Sequence, residues 1–443
     1  YDIYIKQLPN GSYGWNCPED NLGVSWIEID DNYIGSAYTT TGEDAMKISV
    51  AHEFFHAIQR AYIPTAGSNS FFYELSSMWI EDIIYPDIND YINFSQIGDD
   101  YFLDPEQNMN SYNGYGLGLY GHYMNFIFSN QIMQEIWSNL FSKKSICENF
   151  TDENNCLLNN YCKWISNDED NEESYCIIDS NNDNLIFDSI DAVLLGYNSS
   201  FVKSWLDFNS RNLFNGLFNN MNNDIYYYQD QSLFNPIDTD LLDINQYLES
   251  NSDGTEIYEY DTNVNNRSVA IKSFYISQNN PQSFLFGNLN SWSNLALISN
   301  NQNSINSFFP SNPIFYNHIL DNHDIFHFLY ISSGDSNTSA TSIYKTDIQS
   351  SFTFDYYPNP IESGQNLTLR FSSGIEVDDL KIEIFNIKGQ LVKNISLGSF
   401  GYSMQDFNEI SFSPFDQYLS SGLYILKIYL DNYIISKKIV YIK

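Results

Sequence analysis

A His-Glu-x-x-His run at His52, Glu53 and His56 constrains this chain more than any other feature, because its chemistry requires a helix. On an α-helix, residues four apart project from one face. Two imidazoles placed there can hold one Zn²⁺, and Glu53, one step round, reaches a water on the open side of the metal. The flanking residues predict that helix. Thr40-x-x-Glu43 and Thr41-x-x-Asp44 both have the form of a capping box, and Ala45, Ile48, His52, Phe55 and Gln59 follow the 3.6-residue period. Pro64 stops the run a few residues after Arg60. The competing reading is an ordinary amphipathic helix with core histidines. Against it, the chain has only 6 histidines, and two of them fall at metal spacing around a glutamate.

A hydrolytic zinc site needs a third protein ligand and one open position. Residues 71–82, Phe-Phe-Tyr-Glu-Leu-Ser-Ser-Met-Trp-Ile-Glu-Asp, form the next helical segment. His-Glu-x-x-His, followed about twenty residues later by aromatic-x-Glu and small residues, resembles the gluzincin metallopeptidases, the superfamily that includes thermolysin. The resemblance implies that Glu74 is the third zinc ligand. Glu81, seven residues on and on the same face, is the rival ligand or a partner that orients one. Met78 stands where the thermolysin pattern has a carboxylate orienting the first histidine, so the resemblance leaves that role unassigned.

The totals narrow the function classes. A formal net charge of −37 and a pI near 4.1 repel nucleic acid and anionic membranes. Hydrophobic residues at 43% and aromatics at 17% argue against disorder, and 443 residues imply more than one domain. The charge is uneven: residues 1–354 hold 46 acidic and 11 basic side chains, residues 355–443 only 10 and 8. No apolar run is long enough to span a membrane. No signal peptide is visible and the chain begins at Tyr1 rather than Met, so it reads as a processed or truncated product whose targeting segment, if any, is missing. Cys147, Cys156, Cys162 and Cys176 cluster without C-x-x-C pairs, which predicts two disulfides stapling an acidic insertion over 143–184, of open connectivity. Such bridges require an oxidising, extracytoplasmic setting. Cys17 is left over.

Residues 1–38 alternate strand-like runs (2–5 and 24–29) with an Asn10-Gly11 turn. In gluzincins a small sheet precedes the zinc helix and its edge strand binds extended peptide; the resemblance implies that place for this segment. Residues 111–123 are rich in Gly and Tyr. They read either as backbone able to approach a ligand or as a glycine-punctuated helix start with aromatic packing. By analogy with proteases that carry Tyr-Gly near the start of the corresponding helix, Tyr115 is the candidate hydroxyl for an oxyanion. Residues 179–184 put Asp179, Asn181 and Asp183 at positions 1, 3 and 5 of a Ca²⁺-type loop, with Asp188 and Asp191 in place of a Glu at position 12. The alternative there is a solvated loop capping the helix of 188–195. A last helix follows over 201–214. From 236 to 350, short alternating runs predict a β-sandwich. His323 and His327 fall on a strand, where four residues span about 13 Å, too far for one metal.

The last segment opens with Tyr356-Tyr357-Pro358-Asn359-Pro360, continues through strand-like 380–392 and 420–428, and ends in a lysine-rich strand over 437–443. Its pattern gives an antiparallel sandwich of Ig-like form. It resembles the type A C-terminal sorting domain of the type IX secretion system, an address read by the outer-membrane export machinery of Bacteroidetes-like bacteria. That resemblance agrees with the cysteines in placing the protein outside the cytoplasm.

The expected architecture is an α+β metalloprotease catalytic domain over 1–235, with zinc helices and a small sheet. All-β sandwich domains over 236–350 and 351–443 follow it. The expected activity is that of a secreted zinc endopeptidase acting on proteins or peptides. Zn²⁺ sits on His52, His56 and Glu74, Glu53 is the general base, Tyr115 serves the oxyanion, and Ca²⁺ is a second candidate ion. The export machinery is a partner through the C-terminal domain; nucleic acid is not, and no transmembrane segment is expected. A different class is a secreted surface-binding or adhesion protein with an inactive metallopeptidase-like domain. The intact Glu53 argues against it, because decayed sites usually lose the base first.

Overall fold

The computed structural model describes the chain apart from residues 10, 20–22, 96–100, 167–173, 217–224, 226–227, 238, 251–255, 264–266, 278–281, 289–291, 299–302, 309–315, 321–323, 332–337, 347–353, 373–379, 387–389, 397–406, 416–418 and 431–432. Asn10, His323 and parts of the cysteine region and of the C-terminal blocks therefore lie outside the described residues.

The His-Glu-x-x-His run lies on α1 (Gly42–Tyr62). Thr41 is extended at its N-cap, as the pattern predicts, but its side chain makes no capping bond. The hydroxyls of Thr39 and Thr40 donate instead to Asp90 Oδ1. Glu43 and Asp44 in the first turn and Arg60 in the last suit the helix dipole. Ile63 turns extended ahead of Pro64 and ends the helix. The buried stripe of α1 is Ala45, Ile48, Ser49, His52, Glu53 and Gln59. It faces a three-stranded sheet on one side and α2 (Ser70–Ile84) on the other.

The sheet comprises β1 (Ile3–Lys6), β2 (Gly14–Pro18) and β3 (Ser25–Asp30) in the order β1-β3-β2. β1 runs parallel and β2 antiparallel to β3. Strands β1 and β3 fall where alternation predicts them, with Ile27 and Ile29 buried. β2 is not legible in the same way: Gly-Trp-Asn-Cys-Pro has no β-branched residue, and pairing with β3 overrides that propensity.

Gln59 bolts α1 to α2, its Nε2 donating to Tyr73 O and Ser76 Oγ, both at 2.9 Å. Ser76 and Ser77 are fully buried, and their small side chains let the helices approach. After α3 (Asp90–Ser95) comes α4 (Gly118–Ile127), which packs on α2 through glycine. A Cβ on Gly121 would lie 2.7 Å from the Trp79 ring, so only glycine fits. Gly118 and Gly121 of the Gly/Tyr-rich stretch thus open a helix that packs closely on Met78 and Trp79. Then come α5 (Ile132–Glu148), α6 (Glu153–Leu157), the β4–β5 hairpin (Cys162–Ile165 and Tyr175–Ile178), α7 (Leu185–Leu194) and α8 (Phe201–Asn212).

Two five-stranded sheets occupy 241–346, and a three-stranded and a five-stranded sheet occupy 354–442. Val269, Ile271, Ala296, Leu329 and Ile331 share one apolar cluster with the helices, and Asn294 Nδ2 donates to the buried Ser210 Oγ at 2.8 Å. The first sandwich is therefore packed against the helical region. The C-terminal strands close a core of their own around Ile382, Leu426 and Ile439. His327 is a core residue, paired with Ser273 Oγ, and burial pushes its pKa down to about 3. Among the described residues no single helix is long and apolar enough to cross a membrane.

The cysteines pair as Cys147–Cys162 and Cys156–Cys176, leaving Cys17 free. All four bridged cysteines belong to the main helical core, so the region is stapled into that core. Alkylation before reduction is expected to tag Cys17 alone, and after reduction to tag four more; free thiols at the four positions in the exported protein would refute the pairing. Replacing Cys147 and Cys162 together by Ser should cost about 2–5 kcal/mol, read as a lower denaturant midpoint.

Candidate metal centre

Helix α1 sets His52 and His56 one turn apart, and α2 brings Glu74 to meet them. One nitrogen or oxygen from each of the three lies within 4.8 Å of the others, and no other such group occurs among the described residues. His52 Nε2 is 3.1 Å and His56 Nε2 3.5 Å from the same Glu74 Oε2. Ligands about 2.0–2.1 Å from a tetrahedral Zn²⁺ stand roughly 3.4 Å apart. The donor set and its spacing fit that ion.

The other ring nitrogens explain why these three atoms converge. His52 Nδ1 lies 2.5 Å from Glu81 Oε1, and His56 Nδ1 lies 2.7 Å from Gln59 Oε1. An acceptor on each Nδ1–H aims both Nε2 atoms at Glu74, where each can carry a proton toward the carboxylate or, without it, present a lone pair to a metal ion. Glu81 thus sits across the His52 ring from Glu74. Gln59 was visible in the sequence only as part of the apolar period. Its position three residues after His56 on one helix face was the available signal.

The electrostatics favour positive charge at this point. Burial alone would raise Glu74, but hydrogen bonds to His52 and His56 outweigh it and hold the carboxyl well below the usual carboxylate range. Burial alone would lower His52, yet its bonds to Glu74 and Glu81 push it well above the usual value. A proton or a divalent cation answers the same field.

Glu53 is buried, and burial raises its pKa. It lies against β2. Asn16 Nδ2 donates to the Glu53 carbonyl at 3.1 Å, while Arg60 Nε donates to Asn16 Oδ1 at 2.6 Å. A Cβ on Gly14 would lie 2.7 Å from Glu53 Cγ, so the strand passes the side chain with no room to spare. Tyr115 opens a single 3₁₀ turn (Tyr115–Leu117), and its ring stacks on that of His52, with centroids 5.9 Å apart and planes at 4°. Burial and the neighbouring Glu74 carboxylate both raise its pKa. Gly114, at φ +104°, makes this turn: a Cβ there would collide with Phe71 O and come 2.8 Å from Glu74 Cβ. A cavity of about 270 Å³ runs beside His52 and Glu53, between residues 11–15 on one side and Met78, Phe94 and Tyr115 on the other.

The candidate calcium loop turns on itself. Asp179 Oδ1 accepts from the Asn181 amide and Asn182 Oδ1 from the Asn184 amide, while the Ser180 carbonyl accepts from Asn69 Nδ2. Asp191 accepts from the Phe201 amide at the start of α8. The helix after the loop, α7, starts at Leu185, ahead of the expected 188, and its N-cap Asn184 makes no side-chain capping bond, so the expected capping of that helix by the loop is not seen. Behind Glu81 lies a buried set that sequence reasoning did not single out. The His122 ring stacks on Tyr228 at 4.0 Å, with Nε2 3.5 Å from Asp82 Oδ2. Burial pushes Asp82 up to about 7 and His122 down to about 3.

Comparison with known proteins bears on one end of the chain. No curated protein sequence matches it. Solved structures with weak similarity include a β-glucuronidase of Bifidobacterium dentium, 10% identical over 39% of each chain with a TM-score of 0.14. Another is latent dimeric PorU of Porphyromonas gingivalis, 14% identical over 39% of this chain and 20% of that one, with a TM-score of 0.18. A third is the extracellular region of zebrafish Gpr126/Adgrg6, 7% identical over 41% and 30%, with a TM-score of 0.17. This chain spans less than half the length of each, and at such scores the likenesses carry no argument. Residues 355–443, by contrast, match the secretion system C-terminal sorting domain. The protein carries that domain and is exported through type IX secretion to the cell surface or the extracellular space.

Proposed function

We propose that this chain is a secreted zinc metallopeptidase of gluzincin type. The observation that carries the reading is the convergence of His52 Nε2, His56 Nε2 and a Glu74 oxygen beside the buried Glu53. His52, His56 and Glu74 would hold Zn²⁺, with Glu81 and Gln59 fixing the two imidazoles. The ion supplies Lewis acidity toward a carbonyl and makes water nucleophilic at neutral pH. Glu53 takes the proton of the attacking water and delivers it to the leaving amine. The Tyr115 hydroxyl, held beside His52 by the Gly114 turn, donates to the oxyanion that develops on the former carbonyl. β2 is the edge of its sheet and borders the cavity, so its free backbone groups can pair with an extended peptide.

Chelator-sensitive hydrolysis of casein by the purified chain tests the reading as a whole. Four variants test its parts. Glu53→Gln should retain zinc and lose at least ~10²-fold in peptidase activity, the scale of general-base catalysis; near-full activity would sink the mechanism. Glu74→Ala should purify with little or no zinc. Glu81→Ala should purify zinc-loaded, with affinity or activity down ~10–100-fold. Zinc stoichiometry decides between them, and the reverse outcome would move the ligand to Glu81. Gly14→Ala pushes on Glu53 Cγ without touching a ligand, and a displacement of the base by even ~1 Å can cost ~10²-fold. It should therefore lower kcat at unchanged zinc content. Unaltered kcat would show that β2 does not position the base.

A further inference from the structure

Export through type IX secretion requires a partner to touch the sorting domain, and one face of that domain is unlike an ordinary solvent face. Its five-stranded sheet lays the strand Gly422–Leu430 between Leu380–Asn386 and Tyr433–Ile442, antiparallel to both. Burial alternates along these strands, with Ile382, Ile384, Leu426, Ile428 and Ile439 turned into the domain core. An antiparallel sheet covered on one side normally carries polar residues on the other. Here one end of the outer side is apolar. Leu423, 42% exposed, stands opposite Val440, 37% exposed, and Ile442, 46% exposed, follows two residues on. Ile425 and Phe385, paired across strands on the same side, continue the patch. Contiguous exposed apolar side chains of this kind mark a contact surface.

Cations border the patch. Lys438 is exposed and pairs across strands with Ile425, while Lys427 Nζ stands 5.4 Å from the centroid of the Phe385 ring. Lys381 is bonded to Glu383, which also accepts from the Tyr429 hydroxyl at 2.7 Å. Glu362 lies at the corner beside Ile442. Among the described residues this face thus sets three lysines against two glutamates, a net +1 on a chain of −37. An anionic surface is attracted here and repelled by the rest of the chain. The neighbouring sheet edge is closed: Asn359 Nδ2 donates to Lys438 O at 3.2 Å, and Asn359 Oδ1 accepts from Val440 N at 2.9 Å. A side chain in the place of a strand leaves the face, and not that edge, to a partner.

We propose that this face is what the export machinery reads. The partner is a protein surface with an apolar centre for Leu423, Val440 and Ile442 and with carboxylates for Lys427 and Lys438. The face belongs to the sorting domain alone, so the docking stands whether or not the chain is a peptidase.

The test uses the full chain expressed in a bacterium with type IX secretion, with exported and retained protein quantified by immunoblot. Two double variants probe the two halves of the face: Leu423→Ser with Val440→Ser, and Lys427→Glu with Lys438→Glu. Each should cut the exported fraction ~10-fold or more, the scale of losing central contacts of an interface. Thr368→Glu, on the outer side of the three-stranded sheet between buried Leu367 and Leu369, should be exported like the parent. Export is read on variants whose purified full chains unfold at the parental temperature. Reversing two lysines removes no core side chain, so the second pair decides the question where the first loses stability. Parental export of either folded double variant overturns the surface, as does an equal loss in Thr368→Glu. The purified parent is also spun down with vesicles of phosphatidylethanolamine and phosphatidylglycerol. Sedimentation that is lost in Lys427→Glu with Lys438→Glu replaces the protein partner by a membrane and overturns the proposal; a parent left in the supernatant supports it.

Discussion

One imidazole placed between two carboxylates organises this molecule. His52 presents Nε2 to Glu74 at 3.1 Å and Nδ1 to Glu81 at 2.5 Å, and both glutamates project from α2. Glu74 and Glu81 stand two turns apart, about 10 Å of axial rise. A single ring touching both therefore fixes the register, the spacing and the rotation of α2 against α1. The small Ser76 and Ser77 between them, and Gln59 reaching across to Tyr73 O, follow from that closeness. Buried charge of this density is stable only when paired or bound to a cation.

The demands of that helix pair spread outward. Because α2 gives one face to α1, its opposite face must receive α4, and it does so through glycines that meet Met78 and Trp79. The same run of chain then has to turn sharply at Gly114 to lay Tyr115 over His52. Glycine thus serves packing and site together: the closeness of α4 to α2 determines where the Tyr115 ring can stand. On the other side, β2 is held against α1 by Asn16 and Arg60, which leaves Gly14 as the only residue type that fits over Glu53.

The helix of α1 and the shared face of its two histidines were legible because helical periodicity converts spacing along the chain into spacing in space; Glu74 was singled out by the resemblance to gluzincins and not by periodicity. The role of Glu81 was narrowed to two options and no further. Choosing between them requires knowing on which side of the His52 ring it lies, and that depends on how two helices cross. β2 escaped notice for a related reason: its residues have little strand propensity, and β3 recruits them by pairing. The capping box at Thr40 and Thr41 failed because Asp90, distant in sequence, takes the Thr40 hydroxyl. Connectivity of the four cysteines was unreadable, since spacing alone allows three pairings. The fold pairs Cys147 with Cys162 and Cys156 with Cys176, and all four lie in the helical core.

The order of these parts along the chain bears on how the protein reaches its working state. Every group at the candidate centre and its cavity comes from residues 11–115, and among the described residues neither sandwich contributes one. Most of its contacts are short in sequence: His52 meets Glu74 and Glu81 at separations of 22 and 29 residues. Local contacts of this kind form without waiting for distant strands. The two disulfides, by contrast, close at 15 and 20 residues within 147–176 and need an oxidant that the cytoplasm lacks. The sorting domain keeps its own apolar core and a near-neutral charge, beside a remainder that carries almost all of the net −37. An address with its own core can be read by the export machinery regardless of the state of the helices. The bridges that lock those helices form only outside the cytoplasm.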